Sequence, residues 1–247
     1  MKSTVRRLIA LVGATTVLMF AAPPAGAATL HIEELRMGST RAAVAALARA
    51  SAAVGVAPGP CQDGAYNKLG GSWKNGSYSW SFQAYSTPGY LSKTAVRDVL
   101  RKSFSNITNA HNDCALADHV SATNNYLGTT STRARCARRD MHNVVGFRAL
   151  EAGVLAVTCY WISNGRIVEA DVQINSRERW ALSLGGCTDE VMLESTMTHE
   201  AGHVFGLDHV GERRHGRLTM SPYLDGPCEN DEATLGKGDV LGLEALY

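Results

Sequence analysis

Beyond residue 27, the 247-residue chain has no apolar run long enough to cross a bilayer, no internal repeat and no excess of either charge. Its 24 basic and 23 acidic residues nearly cancel. That balance excludes a general field for nucleic acid or for an anionic membrane. Arg133, Arg135, Arg138 and Arg139 form a local basic cluster, but no aromatics interleave with it, so it reads as a solvated loop. Cysteines at C-x-x-C spacing are missing, which argues against a thiolate metal site. No dense Asp/Asn/Gly loop marks a place for calcium.

The chain does begin with an export pattern. Lys2, Arg6 and Arg7 precede a mostly apolar stretch, Leu8 to Phe20, and Ala25-Gly26-Ala27 offers small residues for cleavage. Residues 1–27 read as a signal peptide, so the product is expected to be secreted, extracellular and free of the membrane. Six cysteines follow: Cys61, Cys114, Cys136, Cys159, Cys187 and Cys228. An even, dispersed set in an exported chain indicates three disulfides, with the pairing open. Cys187 with Cys228 is one candidate, because that bridge would bracket the histidine-rich segment described below.

Residues 28–60 are Ala-rich, carry apolar and Arg positions at loose helical spacing, and end in V-G-V-A-P-G-P. They read as a pro-segment or N-terminal extension. From Cys61 to Tyr247 the pattern fits one α+β domain. Tyr78, Trp80 and Phe82 alternate with polar neighbours as in a half-buried strand. Ser92 can cap a helix carrying Val96, Leu100, Phe104 and Ile107. The polar stretch 108–143 is expected to be clamped through Cys114 and Cys136. Asn164-Gly165 between two β-rich runs predicts a type I′ hairpin over 154–175, its second strand with one open face. Thr188 can cap a helix reaching about Phe205, and the last twelve residues suit a short closing helix.

The segment Thr198–His209 reads T-H-E-A-G-H-V-F-G-L-D-H and holds three of the chain's eight histidines. On a helix, His199 and His203 share one face and can hold one zinc ion. Glu200 sits beside the first ligand, placed to act as base for a zinc-activated water. Gly206 can take the left-handed conformation that ends a helix, and the chain can then turn and bring in His209. Three histidines leave a fourth position open, which is the pattern of a catalytic site. His31, His111, His119, His142 and His215 lack such spacing and read as ordinary residues.

H-E-A-G-H-V-F-G-L-D-H matches the metzincin pattern at every fixed position, and Leu218-Thr219-Met220-Ser221-Pro222-Tyr223 resembles the Met-turn, with Met220 beneath the ligands. From about Trp73 to Tyr247 the chain resembles the matrixin-like group. The resemblance implies a twisted, mostly parallel sheet with three helices and a zinc cleft. It implies a secreted zinc endopeptidase acting on protein or peptide substrates, with Pro222 and Tyr223 as a wall of the substrate pocket and A-D-V-Q-I-N as the strand edging the cleft. Calcium is common in the family, but no site for it is identified, and the second, structural zinc site is not recognisable. The cysteine-switch sequence is missing; P-G-P-C-Q-D at residues 58–63 is a faint echo that would make Cys61 a zinc-blocking thiolate. The pattern runs to the last residue, so no hemopexin-like extension is expected. A monomer without nucleic-acid partners is expected.

Two competing readings follow from the same residues. A glutamate such as Glu229 or Glu232 would replace His209 in a gluzincin. A secreted binding module with a metzincin fold would bind without turnover, although an intact Glu200 argues against it.

Overall fold

The Asn164-Gly165 turn, with φ of 50° and 69°, folds the chain back on itself as that dipeptide predicts. In the computed structural model, residues 28–38 and 58–247 are described. The export pattern and most of the linker lie outside the described residues. The main sheet holds β1 (Thr29–Met37), β2 (Ser72–Trp73), β3 (Ser77–Phe82), β4 (Thr123–Thr129), β5 (Val144–Arg148), β6 (Val154–Ser163), β7 (Arg166–Asn175) and β8 (Tyr223–Leu224). Their order is β8-β1-β6-β7-β5-β3-β4, with β2 also beside β7. β6 runs antiparallel to both of its neighbours, and the other pairings are parallel.

Three main helices accompany this sheet: α1 (Lys93–Thr108), α2 (Leu193–Val204) and α3 (Lys237–Glu244). Ser92 caps α1 through the Ala95 amide, as expected. Val96, Leu100, Phe104 and Ile107 are buried, and Phe104 meets Tyr78 and Trp80 of β3. Asn106 of α1 donates to Glu194 and Thr198 of α2, fixing the two helices against each other. The Trp73 indole donates to the Val204 carbonyl at the end of α2. No described helix is long and apolar enough to cross a membrane.

The disulfides are Cys61–Cys114, Cys136–Cys159 and Cys187–Cys228. The bridge that brackets the histidine segment is therefore present, and the stretch 108–143 is clamped at both expected cysteines. Cys61 is consumed in a disulfide and is not a zinc-blocking thiolate.

Four expectations need correction. The helix carrying the histidines starts at Leu193, not near Thr188. The Thr188 and Asp189 amides are taken by the Glu190 carboxylate in a local turn beside Cys187. β7 has no open face: Glu169, Asp171 and Gln173 are buried. Their side chains hold the main chain of the adjacent loop at Ala134, Arg135, Asp140, Met141 and Val144. Residues 169–174 are not at a sheet edge either, because β7 lies between β6 and β5. Finally, Thr29–Met37 is not helical but forms β1, paired along β6.

Candidate functional site

α2 presents His199 and His203 one turn apart, their rings at 83° to each other. The helix stops at Val204, and Gly206 follows at φ 93°, close against the Gly71 carbonyl. This is the left-handed turn the sequence called for, and it swings His209 into place. The three Nε2 atoms stand 3.0, 3.0 and 3.1 Å apart. The outer nitrogens fix the tautomers. His199 Nδ1 meets the Thr219 carbonyl at 2.7 Å, and His203 Nδ1 meets the Leu207 carbonyl at 2.9 Å. Since a carbonyl can only accept, each Nδ1 carries the proton, and each Nε2 turns a lone pair inward.

Lone pairs converging in a buried place repel unless a cation joins them. Burial holds all three imidazoles in the neutral form that ligates metals: His199 is pushed down to about 3, His203 lies well below the ordinary histidine range, and His209 is also lowered. Nitrogens of a tetrahedral zinc at about 2.0–2.1 Å stand roughly 3.3 Å apart, close to the spacing here. The donor set and its geometry fit zinc.

Glu200 is fully buried beside this cluster. One carboxylate oxygen accepts the Thr158 hydroxyl, while Oε1 has no hydrogen-bond partner among the described residues. Burial pushes its carboxyl up to about 8, against the Thr158 hydroxyl and the Leu35 amide, which favour the charged form; Glu33 and Glu34 add to the rise. A divalent cation nearby acts in the opposite direction.

Met220 is buried, its sulfur so close to Gly202 of α2 that a methyl there would collide with it. Asp239 of α3 holds this turn, accepting the amides of Thr219 at 3.0 Å, Met220 at 3.2 Å and Gly236 at 2.9 Å. Leu218 to Tyr223 then runs into β8, which pairs with β1 on the side away from β6, with the Arg36 amide donating to the Pro222 carbonyl and the Tyr223 ring exposed.

A family model described as Matrixin matches residues 72–247. The chain belongs to the matrixin family. It is a zinc metalloendopeptidase whose catalytic zinc site is His199, His203 and His209. A comparison with curated proteins finds no match. The mixed sheet and three helices are those of a matrixin. Matrixin membership implies protein substrates, and together with the disulfides it fits an extracellular location.

His209, not Glu229 or Glu232, completes this matrixin's triad, so the gluzincin reading falls. Several supporting groups escaped the sequence. Thr158 lies in the middle of an apolar strand run, and Asp239 looked like an ordinary first-turn acid of the closing helix. The carbonyls of Thr219 and Leu207 carry no side-chain signal at all.

Proposed function

We propose that Glu200 is the general base of this peptidase, and that an extended peptide lies in the groove between β6 and the Pro222–Tyr223 wall. The observation that carries the reading is the buried Glu200 Oε1, unpartnered among the described residues, next along the helix to three converging Nε2 atoms. Zinc supplies Lewis acidity to a water and to the reacting carbonyl. Glu200 takes the water's proton and passes one to the leaving amine. Thr158 holds one carboxylate oxygen so that the other stays aimed into the site. The carbonyls of Thr219 and Leu207 keep the imidazoles oriented. The buried Met220 and the Asp239 bracket support the floor, in keeping with a Met-turn.

The same reading takes 1–27 as an export signal, 28–60 as a pro-segment or N-terminal extension and 61–247 as the peptidase domain, acting as a secreted monomer. Cleavage of an unfolded protein by wild type and by Glu200→Gln, with zinc measured in both, tests the role of the base. The expected result is one zinc in each and turnover in wild type alone. A Glu200→Gln chain that cleaves at the wild-type rate would overturn it.

A further inference from the structure

The arginines of the segment 131–143 look dispersed in sequence, yet the fold gathers two of them with a third from β5. Arg133, Arg135 and Arg148 line one open depression of about 460 Å³, together with Cys136, Ala137 and Gln173. No acidic side chain lines it, and among the described residues none of the three guanidiniums makes an ion pair or a hydrogen bond. The nearby carboxylates are taken by main-chain amides. Asp171 accepts from Arg135 at 2.6 Å and from Val144 at 2.7 Å, and Glu169 accepts from Asp140 and Met141. Three positive charges therefore share one depression without a counter-charge.

The main chain beneath them is fixed. Ala134, between two of the arginines, donates its amide to Gln83 Oε1 at 3.2 Å and accepts from Gln173 Nε2 at 3.1 Å. The Cys136–Cys159 disulfide ties this loop to β6, and the Arg148 carbonyl accepts the Ser176 amide at 2.8 Å. Val145, Phe147, Val172 and Ile174 pack in the main core, so strand alternation turns Gly146, Arg148 and Gln173 to the opposite face of the sheet. Gln173 pairs with Val157 of β6. Strands lie about 4.8 Å apart, so Gln173 stands roughly 10 Å from a peptide running along the far side of β6. An arginine and a glutamate side chain together span that gap.

We propose that this depression is an exosite for an acidic stretch of the protein substrate, a run of Asp or Glu flanking the bond that is cut. This rests on the peptidase reading above. A guanidinium is a planar fork that takes a carboxylate through two parallel hydrogen bonds, and three without a counter-ion favour a chain of carboxylates over a neutral partner. A peptidase meets its partners as polypeptides, which favours the carboxylates of Asp and Glu over the sulfates of a polysaccharide. The chain as a whole is nearly neutral, so the attraction is local to this face. Because the loop is already held, little ordering accompanies binding. The site adds affinity away from the reacting carbonyl, so it acts on KM and leaves kcat unchanged.

The test uses the full chain with Glu200→Gln, so that binding is read without turnover, and fluorescein-labelled hexaglutamate at about 20 mM salt, where screening is weak. Adding Arg133→Gln, Arg135→Gln and Arg148→Gln together is expected to weaken binding by about tenfold or more. Arg101→Gln, Arg213→Gln and Arg214→Gln remove the same charge from exposed positions elsewhere and should leave binding within about threefold. Equal binding by the two sets of variants, both folded by circular dichroism, or no binding at all, would overturn the proposal. So would capture of dextran sulfate through the three arginines by a chain that ignores hexaglutamate, which would assign the site to a sulfated polysaccharide. With Glu200 intact, an unfolded protein carrying a hexaglutamate tail should show a KM about threefold or more below that of the same protein with a hexaglutamine tail, at equal kcat. The difference should vanish when the three lining arginines are replaced. Equal KM for the two tails would overturn the substrate role. Hexaglutamate binding through the arginines with no cleavage of either protein would uphold the acidic-chain site and contradict the peptidase reading, so the two fail separately.

Discussion

The Thr219 carbonyl accepts from His199 Nδ1 at 2.7 Å, and the Thr219 amide donates to Asp239 at 3.0 Å, so one peptide segment links a zinc ligand to the closing helix. Asp239 accepts two further amides, from Met220 and Gly236. Replacing it with Ala strips three buried donors of their acceptor, at about 1–3 kcal/mol for each one left unsatisfied. The expected outcome for Asp239→Ala is a destabilised chain, measured by urea unfolding, with zinc affinity lowered by about 10–100-fold through the loosened His199 support. Unchanged zinc affinity would separate the turn from the metal site.

Thr158→Val tests how Glu200 is held. Valine keeps the shape of the side chain and suits the strand, but removes the hydroxyl that donates to the Glu200 carboxylate. Turnover is expected to fall by about tenfold or more, with zinc content unchanged. Simultaneous loss of zinc would mean that Thr158 supports the fold of the site rather than the base.

Gly206→Ala should be costly although it adds one methyl. The position has φ 93°, and the new Cβ would lie 2.6 Å from the Gly71 carbonyl oxygen. Strain of about 1–3 kcal/mol is expected, lowering the thermal midpoint by several degrees and weakening zinc retention through His209. A midpoint equal to wild type would show that His209 does not depend on this turn.

Asp171 gives a pH signature. Burial pushes its carboxyl up to about 8, against the Arg135 and Val144 amides that favour the charge. Unfolded, the group titrates near about 3.9. Between these values the folded state binds the proton more strongly, so stability from this group is fully present at low pH and is lost as pH rises through the interval. From pH 7.5 to 8, where unfolded histidines are largely neutral, the unfolding free energy should fall with rising pH, and Asp171→Asn should flatten that slope. A slope unchanged in the variant would assign it to another group.

What the sequence disclosed, it disclosed through local rules. His199, Glu200 and His203 follow from helical spacing, His209 from the glycine three residues after His203, and the β6–β7 hairpin from Asn164-Gly165. What stayed hidden depends on partners far along the chain. Glu169 and Asp171 alternate like solvent-facing residues, and only the loop folded over them makes them interior. The start of α2 was misplaced because Glu190 spends its carboxylate on a local turn. In Leu30-His31-Ile32-Glu33-Glu34-Leu35, the paired glutamates break the strand alternation. The strand takes its order from β6 and β8 instead.

The zinc site itself is tested most directly by X-ray absorption at the zinc edge on the full chain, beside His209→Ala, with metal content determined for both. The structure predicts one zinc per wild-type chain, a first shell containing three imidazole nitrogens at about 2.0–2.1 Å, and loss of most of the metal from His209→Ala. A shell containing sulfur at about 2.3 Å, or a His209→Ala chain that keeps its zinc, would contradict it.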